Sequence, residues 1–108
     1  MIPAEDYCVV LITVPNGEVA RQLSQTLLTQ RLVACVNILP GLESRYWWEG
    51  KIEVGSELLL LLKTRTDRLE AIERVVLEQH PYQTPEILAF PAYRGLERYL
   101  RWIDESLT

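Results

Sequence analysis

The sequence predicts a single α+β domain: an antiparallel sheet with helices packed on one face. Three observations lead there. Apolar runs of strand length, rich in β-branched residues, stand at Tyr7–Val14 and within Leu32–Leu39. Glu18–Arg31 and the stretch after Asp67 repeat apolar residues at helical spacing instead. Turn-forming residues separate the segments, giving the order β-α-β-β-α-β-α. With 108 residues, no low-complexity tract and no Gly/Ser linker, residues 1–108 form one domain around one core.

Each element has its own reason. Tyr7–Val14 is nearly all apolar, the pattern of a strand buried on both faces. Pro15-Asn16-Gly17 ends it. Asn16 can cap the next helix, and Glu18 then sits in its first turn, where the helix dipole favours a negative charge. In Glu18–Arg31, Ala20, Leu23, Leu27 and Leu28 form one stripe to bury. Leu32–Trp48 reads as one long strand bent near Pro40-Gly41. Glu49-Gly50 is a turn, and Lys51–Lys63 returns as the second arm of an extended hairpin, with Gly55-Ser56 as a bulge or kink. Leu58–Leu62 is five leucines. Leucine alone favours helix slightly, but the run is short and a capped helix follows it. There Asp67, with Glu70 three residues on, resembles a capping box. Leu69, Ile72 and Val76 make the stripe of this second helix, and Glu70–Arg74 is a favourable i,i+4 pair. His80-Pro81 ends it, because a residue before proline is driven out of the α region. Glu86–Phe90, between Pro85 and Pro91, suits a strand at a sheet edge. Gly95–Leu107 closes the chain as an additional helix, with Leu96, Tyr99, Leu100, Ile103 and Leu107 on one face.

The first six elements are the split βαβ order, βαββαβ, of a ferredoxin-like sandwich. Two helices cover one face of such a sheet. The other face carries apolar side chains, and its burial at about 25 cal/mol per Å² favours association of chains. The residues do not set the symmetry of that association.

The net charge of −4 argues against nucleic acid as partner, since no basic stripe is visible. No Lys/Arg cluster suggests attachment to an anionic membrane. Met1–Asp6 lacks a basic start and a small-residue cleavage site, so the chain reads as cytoplasmic. Cys8 and Cys35 are too few for a disulfide scaffold and read as reduced thiols in strands.

Three segments then resemble the CutA divalent-cation-tolerance family. They are Ala34–Gly41 leading into Ser44–Ile52, Glu57–Thr64, and His80-Pro81-Tyr82-Gln83-Thr84-Pro85-Glu86-Ile87. Tyr99–Ile103 is similar as well. The motifs stand in the family's order, and the resemblance spans nearly the whole chain. It implies a ferredoxin-like protomer in a tight homotrimer, similar to PII-like signalling proteins, in which long hairpins extend sheets between subunits. It also implies a role in tolerance to divalent metals, with copper binding in some members. No reaction is implied and no cofactor is obligatory; Cu(II) or another divalent cation is the candidate ligand. Some members carry a second histidine where this chain has Gln79, and a cysteine where it has Ile12.

Few residues are candidates for chemistry. His80, the one histidine, is the metal candidate, because imidazole is a common transition-metal ligand. Its structural alternative is a helix-end side chain supporting the last carbonyls. Cys35 is a soft ligand, a reactive thiol bordering a subunit cleft, or a core thiol. Glu57 and Lys63, six apart on one strand, face the same side roughly 20 Å apart and can reach different walls of a cleft. Glu86 offers a carboxylate to a cation or fixes a turn. Tyr46 and Trp48 face one side of the hairpin and Trp47 the other, as an interface anchor or a stacking platform. Tyr82 stands beside His80. The candidate intersubunit cleft is thus Cys35, Trp48, Glu57, Lys63, Tyr82 and Glu86. A Gly-rich phosphate loop, a Ser elbow and a nucleophile–base pair are all missing, so the sequence does not read as an enzyme. The alternative function is a PII-like module holding a small metabolite or anion in that cleft. An RNA-recognition domain is disfavoured by the lack of aromatics in Leu58–Leu62. An acylphosphatase-type hydrolase is disfavoured by the lack of an arginine phosphate loop near Pro15-Asn16.

Overall fold

The computed structural model describes all 108 residues. The strands are β1 Ile2–Pro3, β2 Tyr7–Val14, β3 Cys35–Trp48, β4 Lys51–Arg65, β5 Leu88–Pro91 and β6 Arg94–Gly95. The helices are α1 Gly17–Thr29, α2 Leu69–Gln79 and α3 Glu97–Ser106. β3, β4, β2 and β5 form one antiparallel sheet in that order, as a ferredoxin-like sandwich requires. None of the helices is long and apolar enough to cross a membrane.

The core lies between this sheet and α1 and α2. Cys8, Val10, Ile12 and Val14 of β2 and Leu60 and Leu62 of β4 meet Ala20, Leu23 and Leu27 of α1 and Ile72, Val75 and Val76 of α2. Alternation along β2 and β4 thus sorts one parity of residues into the core. Asn16 caps α1, its Oδ1 accepting the Val19 N–H at 2.9 Å. β5 lies at the sheet edge, where its last residue, Pro91, forfeits no central ladder bond.

The second face is covered at one end only. Leu100 and Ile103 of α3 and Leu107 just after it pack with Ala4 against Tyr7, Ala34 and Ala92. Asp104 fastens the helix: it accepts from the Tyr7 hydroxyl and from Arg65 Nη1, each at 2.7 Å. The sequence did not indicate that α3 would shield part of this face. It also did not indicate β1, which pairs with β6 as a two-residue ladder and draws the N-terminus against the start of α3.

The β3–β4 hairpin runs past the sheet. β2 pairs only with residues 58–65 of β4, so Leu42–Trp48 and Lys51–Glu57 form a two-stranded ribbon. The molecule is 44 Å long and 26 × 23 Å across. At the tip, Glu49 (φ 49°) and Gly50 (φ 77°) are both left-handed, as a two-residue hairpin turn requires.

Several local expectations fail. The bulge is in β3, between Leu39 and Leu42, and Gly55 and Ser56 pair regularly with Ser44 and Glu43. Pro40 has no N–H to lose, and Gly41 (φ 83°) takes the left-handed conformation a bulge needs. Asp67 does not cap α2. A 3₁₀ turn, Thr66–Arg68, comes first, and the Asp67 carboxylate is held by Arg68 at 3.1 Å and Arg65 at 3.7 Å. Glu97–Arg101 closes at 3.4 Å, whereas Glu70–Arg74 forms no ion pair. β3 begins at Cys35 instead of Leu32, and the edge strand is Leu88–Pro91 instead of Glu86–Phe90.

Candidate functional site

The bulge decides what the hairpin shows to the rest of the chain. Before it, odd-numbered residues of β3 share a face with odd-numbered residues of β4, as in Cys35–Lys63 and Leu39–Leu59. Beyond it, even-numbered residues do so, as in Leu42–Glu57, Ser44–Gly55 and Tyr46–Glu53. Ser44, Tyr46 and Trp48 therefore stand on the Glu57 side. The loop after α2 comes to meet them. Together Thr13, Ser44–Trp48, Glu57, Tyr82–Thr84 and Glu86 line an open groove of ≈ 710 Å³.

His80 fixes that loop. Helix α2 ends at His80, whose backbone is extended (φ −76°, ψ 133°) ahead of Pro81. The residue is 7% exposed. Nε2 lies 2.7 Å from the Thr13 carbonyl, and Nδ1 accepts the Tyr82 N–H at 3.1 Å. A carbonyl only accepts and an amide only donates, so the partners assign the neutral tautomer with the proton on Nε2. The ring also stacks at a tilt on Tyr82, centroids 4.7 Å apart.

Tyr82 hands this order on to Glu57, donating its hydroxyl to Oε2 at 2.8 Å. Burial first, then the Glu57 hydrogen bond and charge, push the Tyr82 phenol up to about 12. A histidine at the end of a helix thus sets a tyrosine, and the tyrosine sets a carboxylate in the groove.

Of the expected cleft residues, Trp48, Glu57, Tyr82 and Glu86 come together. Cys35 and Lys63 do not join them. They pair with each other across β3 and β4 at the other end of the strand, where Lys63 Nζ donates to Asn37 Oδ1. Cys35 is half-buried there beside α3, and Tyr99 has its phenol raised by burial and then by Cys35. Thr13, Ser44, Arg45, Gln83 and Thr84 also line the groove and were not anticipated. Their position depends on how the loop crosses the end of the sheet, and no local pattern encodes that.

A model of the CutA1 divalent ion tolerance protein family matches residues 8–106. The chain belongs to the CutA1 family. It is 45% identical over 98 residues to a chloroplastic CutA 1 protein of Oryza sativa, covering 91% of this chain and 55% of that one. It is 49% identical over 98 residues to the divalent-cation tolerance protein CutA of Thermus thermophilus, covering 91% and 95%. The chain spans about half the length of its curated plant relatives and nearly all of the bacterial one. The solved structure of a Thermus thermophilus divalent cation tolerance protein superposes with a TM-score of 0.91 at 48% identity, covering 93% of this chain and 97% of that one. The two Thermus thermophilus relatives are named for divalent-cation tolerance and not for a reaction.

The metal role implied for the CutA family can be tested against these side chains. Both nitrogens of His80 are engaged, and the Nδ1 lone pair a metal would need is taken by the Tyr82 N–H. Cys8 is sealed in the core, where burial raises its pKa and disfavours the thiolate that binds metal. No three His, Cys, Asp or Glu side chains gather as a ligand set.

Proposed function

We propose that this CutA-family chain works as a homotrimer in divalent-cation tolerance, with its projecting ribbon and open sheet face buried against neighbouring copies. The ribbon carries the reading. A lone two-stranded hairpin is marginal in water, yet this one bears Trp47 at 73% and Ile52 at 62% exposure beyond the last supporting strand. Leu88 and Phe90 on the second face are also half-exposed. Large apolar rings on an unsupported arm suit the core of an interface. The three-fold count comes from the family resemblance. Light scattering with mass detection tests it. We expect three chains per particle for the parent and loss of the trimer for Trp47→Glu with Ile52→Glu; a parent monomer at micromolar concentration refutes it.

On this reading a divalent cation such as Cu(II) is held between copies, where ligands from several chains can combine. His80 is the imidazole available to such a site, on condition that its ring leaves Tyr82. Calorimetric titration of Cu(II) into the parent and His80→Ala tests this, and identical isotherms remove His80 from the site.

One observation favours a second reading, a PII-like module for a small ligand. The aromatic-walled groove with its ordered Glu57 has the size and lining of a small-molecule site.

A further inference from the structure

We propose that the groove between the hairpin and the Tyr82–Glu86 loop takes a primary alkylammonium ligand. The inference rests on the small-molecule reading of the groove.

Charge is the first reason. The charged residues that line the groove are Arg45, Glu57 and Glu86. Arg45 is matched by Glu43 at 3.0 Å. Glu57 and Glu86 belong to no ion pair. The groove therefore presents two carboxylates without a counter-charge, and an anion would find no free cation to meet it. Glu57 is also pre-aimed: Tyr82 holds Oε2, which leaves Oε1 to accept.

The walls are the second reason. Tyr46, Trp48 and Tyr82 line the groove together with the two carboxylates. Ring faces attract a cation within about 6 Å of the centroid and also cover an aliphatic stem. A bare divalent cation gains little from such walls. It takes about six to eight oxygen ligands where two carboxylates are offered.

Donor count is the third. An alkylammonium carries three N–H donors and no acceptor. Glu57, Glu86, Gln83 and Thr84 line the groove, and each carries a side-chain oxygen that can accept. The volume of ≈ 710 Å³ leaves room for the stem.

Three probes with one four-carbon stem separate the possibilities: butylammonium, butanol and butyrate at neutral pH. Each is titrated into the full chain and followed by tryptophan fluorescence and the indole N–H resonances. We expect butylammonium to saturate and move the Trp48 signal, with butanol at least about tenfold weaker and butyrate not saturating. Glu86→Gln should weaken butylammonium about tenfold with unchanged thermal stability. Equal binding of butanol, or preference for butyrate, overturns the cation inference and leaves the small-molecule reading standing. Failure of all three probes, with groove amides protected from exchange by a neighbouring copy, overturns both.

Discussion

Replacing His80 with Phe keeps an aromatic ring in its buried slot and deletes both nitrogens. Two hydrogen bonds disappear: Nε2–H to the Thr13 carbonyl at 2.7 Å, and the Tyr82 N–H to Nδ1 at 3.1 Å. A net hydrogen bond contributes about 1 kcal/mol, and a partner left buried and unpaired costs about 1–3 kcal/mol. Tyr82 is 38% exposed, so water can reach some of what is lost. The total comes to about 2–3 kcal/mol, or a fall in Tm of roughly 10–15 °C for a domain of this length. There is a local consequence as well. With the loop untied, Tyr82 no longer presses on Glu57, and its phenol should fall from about 12 towards the ordinary 10.0. Thermal unfolding measures the first effect. It is run at fixed chain concentration, because association adds to apparent stability. Phenolate absorbance against pH measures the second. A Tm within about 2 °C of the parent, together with an unmoved high-pH phenol, would refute the anchoring role.

Two further outcomes are expected. The fold favours the protonated Tyr82 phenol, so this contribution to stability is whole below about pH 10 and is lost as pH rises through about 12. Tyr82→Phe should flatten denaturant stability across that window, and an unchanged slope would refute the linkage. Asp104→Ala removes the Tyr7 hydrogen bond and the Arg65 ion pair, whose side chains are 28% and 43% exposed. Solvent screening reduces the pair, and Asp67 remains near Arg65, so the loss should be about 1–2 kcal/mol. Hydrogen exchange should rise across residues 97–106, and unchanged protection there would show that α3 is held by its apolar face alone.

The legible parts of this fold were those with a period. β2 shows in the sequence residue for residue, because every position from Tyr7 to Val14 is apolar or β-branched. The Asn16 cap, the long hairpin and the stop at His80 follow from local chemistry, which acts over three or four residues. Longer-range competition is what went unread. Asp67 had the spacing of a cap, but Arg65 and Arg68 lie close enough to hold it. β1 is two residues long and carries no pattern at all. In the candidate site, Trp48, Glu57, Tyr82 and Glu86 could be named, but only the folded chain separates them from Cys35 and Lys63. The side of the sheet that α3 shields depends on Asp104 meeting Tyr7, residues 97 positions apart.

The extra residue in β3 makes the groove sensitive to conformation at a point that does not touch it. A ribbon of this sequence pairing straight through Gly41 would slip by one rung and present Glu43, Arg45 and Trp47 on the Glu57 side. Tyr46 and Trp48 would leave it together. Deleting Gly41 outright is the milder change, because Pro40 and Leu42 then meet Leu58 and Glu57 without an offset and both faces keep their contents. Gly41→Val keeps the count but bars the left-handed turn that absorbs it. The length of the chain and the hand of one glycine, taken together, choose which aromatic rings the ligand would meet.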